Sequence, residues 1–308
     1  MDSKNVLKSK TAIVTGATAG IGLAAATALA AQGAFVIGVG RSAARCLDAE
    51  KTILLAQSGA KIKFLLADLS LQSQVRGLAS DIKQTLHSAG HTSLDILVNN
   101  AGTFSGSYIK TPDGVELTLA VNHIAPFLLT HELLPLLKAA PSGRVITVSS
   151  GSHYHTSIDF KHLNAPWIYN GLWAYKVSKM ANVLFTLEFN RQMKDTSVRA
   201  FAVDPGLVNT EIGLKTTDPL ARLIWQFRRK SGVPPEIPAR TILYLACENS
   251  VQYSSEGYWY DCHPRKPDPQ ALRLDNASKL WEISCQMCGL AEPGKEISNE
   301  QNSPDQRR

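Results

Sequence analysis

Short apolar runs alternate with helix-period stretches along most of this chain, and that alternation restricts the fold more than any single motif. The runs Thr11–Thr15, Phe35–Val39, Lys61–Leu66, Asp95–Val98, Arg144–Val148 and Val198–Val203 are too short for helices and are bounded by Gly, Asp or Asn. Between them, Ile21–Gln32, Ala43–Gln57, Ser73–Ser88, Gly114–Ala139 and Ala174–Met193 carry apolar residues at helical spacing. A strand that returns parallel to its neighbour needs a long crossover, which a helix supplies. The pattern therefore predicts an α/β fold, a parallel sheet with helices on both faces. A seventh strand is expected at Gly257–Cys262. Neither a repeat nor a linker divides residues 8–290, so one domain is expected there. Residues 291–308, rich in Glu, Asn, Gln, Pro, Ser and Arg without apolar spacing, read as a disordered tail.

Composition narrows the partners. Among 308 residues 44% are hydrophobic, ample for a substantial core, and the net charge of +6 suits anionic ligands. No basic run is interleaved with aromatics, so nucleic acid is not expected as a partner. Met1–Lys8 lacks a long apolar stretch, so neither a signal peptide nor an N-terminal transmembrane anchor is expected, and the expected location is cytoplasmic, with peripheral contact to membranes left open. Five scattered cysteines fit reduced thiols. Cys285-Gln-Met-Cys288 has metal-type spacing but no second pair, and His153 and His155 lack a third ligand, so no metal site is expected. A loop accounts for the two histidines equally well.

The turn Gly16-x-x-x-Gly20-Ile21-Gly22 follows the first run and opens the first helical stretch. Glycines permit a tight turn and close backbone approach to a pyrophosphate, while a helix N-terminus offers free N–H groups to that anion. After the second run, Arg41 and Ser42 occupy the position where a carboxylate would bond the adenosine ribose and repel a 2′-phosphate. Arginine suits that phosphate, so NADP(H) is favoured over NAD(H); a solvated turn residue is the plainer reading of Arg41. Ala19, before Gly20, adds no basic side chain. Asp68 has two open readings, an acceptor for the adenine amino group or a cap for the next helix. Asn99-Asn100-Ala101-Gly102 ends the fourth run, and its small residues let a cofactor ribose approach the backbone.

Tyr175 and Lys179 stand four apart, on one face of a helix. A free tyrosine titrates near ~10, and an adjacent lysine cation favours the phenolate. Such a pair can move the proton that accompanies a hydride, although Tyr-x-x-x-Lys also arises on ordinary helix surfaces. Ser149 and Ser150 end the fifth run, and one of their hydroxyls is placed to polarise a carbonyl. Asn122 is a polar residue inside an apolar helical stretch. It either holds a water that connects Lys179 to solvent or serves as a buried structural amide.

Taken together, Thr15-Gly-x-x-x-Gly-Ile-Gly22, Asn99-Asn-Ala-Gly102, Asn122, Ser150, Tyr175-x-x-x-Lys179 and Asp204-Pro-Gly206 resemble the short-chain dehydrogenase/reductase superfamily over residues 8–290. Val121–Phe127, Lys179–Phe185, Gly257–Cys262, Leu280–Cys285 and the long interval between Ser150 and Tyr175 are most similar to its retinol dehydrogenase-like branch. The resemblance implies an α/β single-domain Rossmann fold with a seven-stranded parallel sheet in the order 3-2-1-4-5-6-7 and helices on both faces. It also implies Tyr175 as acid/base, Lys179 as the residue that lowers its pKa and holds the nicotinamide ribose, Ser150 as substrate-orienting and Asn122 as support for a proton relay. The expected cofactor contacts are Gly16, Gly20, Ile21, Gly22, Arg41, Asp68, Leu69, Asn99, Ala101, Gly102, Tyr175, Lys179, Pro205, Val208 and Thr210.

The function expected is an NADP(H)-dependent interconversion of an apolar alcohol and its aldehyde or ketone: a retinoid, a long-chain or isoprenoid aldehyde, or a steroid. Two alternatives stay open: a cofactor-binding scaffold or sensor without turnover, and a protochlorophyllide reductase-like reduction of a double bond. Residues 209–238 are expected to wall the substrate pocket. Within them, 219–230 reads either as a lid helix or as an interfacial helix that touches lipid. By analogy with relatives, the helices Gly114–Ala139 and Ala174–Met193 would supply the face of a homodimer.

Overall fold

A computed structural model describes residues 5–208 and 232–291. Its eight strands form one sheet in the order β3-β2-β1-β4-β5-β6-β7-β8. The strands are β1 Thr11–Thr15, β2 Phe35–Gly40, β3 Lys61–Leu66, β4 Ile96–Asn99, β5 Arg144–Val148, β6 Arg199–Asp204, β7 Tyr258–Tyr260 and β8 His263–Pro264. The first seven run parallel, as expected. The eighth, outside the expected seven, pairs antiparallel with β7, Trp259 opposite Pro264 and Tyr260 opposite His263. Asp261 and Cys262, between them, both have left-handed backbone, with φ of 46° and 63°. That geometry makes a two-residue hairpin, and a cysteine in the second position gives little hint of it in the sequence.

Alternation along the strands fills two layers. Ala12, Val14, Val36, Ile96, Val98 and Ile146 face one core with α1 Gly20–Ala31, α2 Ala43–Ala56 and α6 Glu236–Cys247. Ile13, Ile37, Leu97 and Val145 face the other, with α3 Gln72–Ser88, α4 Ala125–Ala139, α5 Gly171–Gln192 and α7 Leu274–Cys288. Strand β4 starts one residue later than expected, because Asp95 instead spends its carboxylate on Thr11 N–H (2.9 Å) and Lys10 Nζ (2.8 Å) at the far end of the sheet. Helix α5 starts three residues early because the Asn170 side chain accepts Trp173 N–H at 2.9 Å, capping it.

The stretch 114–139 is not one helix. A single turn at Leu117–Leu119 leads into a π turn at Ala120–Ile124, and α4 follows. Buried Glu116 caps that entry, accepting Thr118 N–H and Leu119 N–H. Helix α7 lies along the seam between α4 and α5. The Trp281 ring packs against Phe127 at 5.0 Å and stacks on Phe185 at 6.0 Å, while Ser284 Oγ meets His123 Nε2 at 2.8 Å. This chain's own α7 thus packs into the seam of the helix pair expected to make a dimer face. Residues 292–308 of the expected tail, Asn209, Thr210 and the segment 219–230 lie outside the described residues.

Candidate active site

Neighbours of β1 lead away in opposite directions, β2 on one side and β4 on the other, so the sheet order reverses at the carboxyl end of β1. Open α/β sheets leave a crevice at such a point. Here a cleft of about 700 Å³ runs across the carboxyl ends of the strands, from the β2–α2 turn to the loop after β6. Of the expected contacts, Gly16, Gly20, Ile21, Arg41, Asp68, Leu69, Ala101, Gly102, Ser150, Tyr175, Lys179, Pro205 and Val208 line it. The structure brings these together from residues almost 200 positions apart.

One end of the cleft suits a dinucleotide. Gly16 has φ of 67°, and a Cβ on Gly22 would lie 2.3 Å from Gly16 O and 2.4 Å from Asn100 Nδ2, so only glycine lets the helix meet the turn. Gly22 thus shapes the turn from beneath rather than lining the cleft. No side chain caps α1, which leaves its first N–H groups facing the cleft. Thr15 Oγ1 accepts the N–H groups of Asn100 and Ala101, both at 3.0 Å, so β1 fixes the turn after β4. Exposed Arg41 shares the far end with Ser42 and Arg45. Ser42 caps α2 by accepting Arg45 N–H, which sets Arg45 one turn along from Arg41. Arg45 was missed in the sequence; a serine cap three residues before a basic residue was the available signal. Asp68 does not cap α3, whose N-cap is Leu71 without a side-chain bond and whose Gln72 N–H goes to Asp113 Oδ2 at 2.7 Å. Its Oδ1 closes a local turn by accepting Ser70 N–H at 2.9 Å and Ser70 Oγ at 2.7 Å, and the residue lines the cleft. Asn99 departs from expectation. It is 2% exposed and donates to Thr130 Oγ1 at 3.1 Å, away from the cleft.

The other end gathers the reactive groups. Tyr175 is 7% exposed on α5, with Phe104 edge-on to its ring at 6.1 Å. Lys179 Nζ lies 5.6 Å from the centre of that ring and donates to Val148 O at 3.0 Å. Burial lowers the Lys179 pKa from 10.5 to about 8, so the ammonium persists at neutral pH. The two serines differ. Ser149 commits its hydroxyl to Lys179 O at 2.8 Å, whereas the Ser150 hydroxyl stands 3.1 Å from Ser152 Oγ and accepts Ser152 N–H.

Asn122 sits in the π turn, 1% exposed and off the cleft wall. Its Oδ1 accepts Thr103 N–H at 2.7 Å, and its Nδ2 donates to Thr103 O and Ser178 Oγ, both at 3.0 Å. These bonds tie Thr103, just after the Asn99–Gly102 turn, to Ser178 on α5. His153 is also not what a loop histidine would be. It is wholly buried, donates from Nδ1 to Ser150 O at 2.9 Å and accepts Asp268 N–H at 3.1 Å on Nε2. Burial, above all, lowers its pKa and keeps it neutral in that tautomer. Among the described residues no group of three or more His, Cys, Asp or Glu is placed to hold a metal ion.

The family model for short chain dehydrogenases matches residues 10–220. The human protein named dehydrogenase/reductase SDR family member 13 is 37% identical over 303 residues, spanning 96% of this chain and 77% of that protein. Retinol dehydrogenase 14 of Mus musculus is 36% identical over 303 residues, spanning 92% of this chain and 87% of that protein. A crystal structure of a metagenomic short-chain oxidoreductase in complex with NADP superposes with a TM-score of 0.61 at 25% identity, covering 83% of this chain and 97% of the other.

Proposed function

Since the chain belongs to the short chain dehydrogenase family, we propose that this oxidoreductase uses NADP(H) to interconvert an apolar alcohol and its aldehyde or ketone. The observation that carries the reading is the approach of Lys179 to Tyr175 within the cleft that also holds Ser150 and the glycine turn. The resemblance to retinol dehydrogenases supports an apolar substrate, and the NADP complex of a structural neighbour supports the cofactor.

The glycine turn and the uncapped N-terminus of α1 would bind the pyrophosphate, and Ala101 and Gly102 would admit a ribose. Arg41, Ser42 and Arg45 would take the 2′-phosphate, a dianion that an arginine pair binds far better than a neutral hydroxyl. Nicotinamide, when bound, supplies or accepts the hydride. Ser150 would hold the substrate oxygen beside the Tyr175 hydroxyl. In reduction Tyr175 donates its proton to that oxygen; in oxidation the phenolate takes it back. The Lys179 ammonium, fixed by Val148 O, stabilises the phenolate and restrains the Tyr175 side of the cleft. Asn122 contributes by holding Thr103 and Ser178 in place. Residues 209–238 would complete the substrate wall.

NADPH oxidation, with NADH in parallel, against retinal, long-chain aldehydes, steroid ketones and small polar carbonyls tests the reading. Turnover of the apolar aldehydes with NADPH is expected. Tight NADPH binding without turnover of any carbonyl in the panel would refute it in favour of a binding protein.

A further inference from the structure

A buried carboxylate beside the cleft has no part in the proton path described above. Asp204 ends β6 and is 3% exposed. Its Oδ1 accepts two backbone N–H groups, from Gly151 at 2.9 Å and Gly206 at 3.0 Å. Its Oδ2 accepts from the Tyr258 hydroxyl at 2.9 Å and from Arg265 Nη1 at 3.0 Å. Gly151 follows Ser150, and Gly206 follows Pro205. One oxygen therefore ties together the two loops that flank the reacting end of the cleft. A Cβ on Gly151 would lie 3.1 Å from Oδ2, so the absence of a side chain there permits the close approach.

We propose that Asp204 is a positioning residue for the reaction proposed above, on which its kinetic role rests: the carboxylate sets the spacing between the Ser150 turn and the Pro205–Val208 loop. Four donors converge on it, and a carboxylate has acceptor sites for all four. An amide at this position would not. With its oxygen on the two glycines, its NH2 faces the Arg265 guanidinium, donor against donor. Turned round, it releases both loops. The C-terminal hairpin holds the counter-ion in place, since Arg265 lies 5.2 Å over the rings of both Tyr154 and Tyr260. Burial and the neighbouring Asp204 charge raise the Tyr258 pKa well above its ordinary value, so that phenol stays a donor. His153 holds the same turn from its other side, through Ser150 O.

Hydrogen exchange of the segments 150–156 and 205–208 tests the coupling without any substrate, in the full-length chain with and without NADPH. Asp204→Asn is expected to speed exchange in both segments together by roughly tenfold, the effect of one lost charge-assisted bond. Asp95→Asn, which alters a buried carboxylate at the opposite end of the sheet, is expected to leave both segments unchanged at a similar loss of thermal stability. Adding Arg265→Leu to Asp204→Asn removes the opposed donor and should restore much of the protection. Tyr258→Phe and Arg265→Leu, which touch only Oδ2, should loosen both segments by several-fold and serve if the asparagine variant does not fold. Kinetically, kcat should fall about tenfold in Asp204→Asn and recover with Arg265→Leu, an effect that general destabilisation does not produce. Loosening of one segment alone, equal loosening in Asp95→Asn, or no recovery with Arg265→Leu would overturn the proposal. Joint loosening in a chain that turns over no carbonyl would sink the reaction and leave the coupling of the loops standing.

Discussion

At the scale of single residues, the site depends on charges held at short range in a low-dielectric cleft. Tyr175→Phe removes the transferable proton and leaves the ring, so turnover should fall by 10²-fold or more while NADPH affinity, read by fluorescence, stays near that of the parent. Residual turnover close to the parent rate would mean another group moves the proton. At the opposite end, Arg41→Asp should weaken NADPH binding by roughly ten- to a hundredfold and spare NADH, with Arg45→Asp adding to the effect. Equal losses for both cofactors would show that neither arginine reads the phosphate. Lys179 has a signature in stability. Its folded-state pKa of about 8 lies below the ordinary 10.5, so between those values the unfolded chain carries a proton that the folded chain lacks. Stability should therefore rise with pH across that window by up to about 1.4 kcal/mol per pH unit from this residue, and the benefit is lost as pH falls through about 8. Urea denaturation from pH 7 to 10 should show that slope reduced in Lys179→Met; identical slopes would refute the assignment. Tyr175, Lys179, Ser150 and the glycine turn were legible in the chain because their chemistry is local. Asp204 was visible only as part of a motif. His153 was not legible, since its partner Asp268 lies 115 positions away.

At the scale of elements, the helices that frame the site were legible by periodicity, and their irregularities were not. Residues 114–139 have unbroken apolar spacing, yet the chain inserts a π turn where Asn122 must reach Thr103 and Ser178 at once. Such turns often mark functional positions, and no single residue type announces them. Helix α7 shows the converse. Its sequence looks like one more amphipathic helix, and only the fold reveals that it fills the α4–α5 seam. Trp281 is 4% exposed among Phe127, His131, Phe185 and Phe189. Trp281→Ala should cost about 3–5 kcal/mol by leaving a cavity there. A loss below 1 kcal/mol in chemical denaturation would mean that α7 is not part of the core.

At the scale of the whole molecule, alternation made the parallel, doubly covered sheet legible, because strands returning parallel need helical crossovers on its faces; the strand order was legible only through the family resemblance. The hairpin escaped that logic, as it obeys turn geometry rather than layer packing. Helix α7 shares one continuous core with β4, β5, α3 and α4, and Arg76 Nη2 donates to Cys288 O at 2.6 Å from α3. Its central amides should therefore exchange only through global unfolding, together with those of β4. Exchange of α7 at a markedly lower free energy than β4 would show it to be a separate unit. The two outermost strands carry a further consequence. At one border, β3 carries two exposed lysines, Lys61 and Lys63, the latter donating to Thr85 Oγ1 of α3 at 3.5 Å. At the other, β8 ends the ladder with Pro264, which has no N–H to offer a newcomer. A sheet closed in this way, by charge on one side and by a missing donor on the other, resists templated addition of strands from other molecules. The native state is therefore expected not to seed cross-β aggregates at high local concentration, which incubation with a cross-β-binding dye would check.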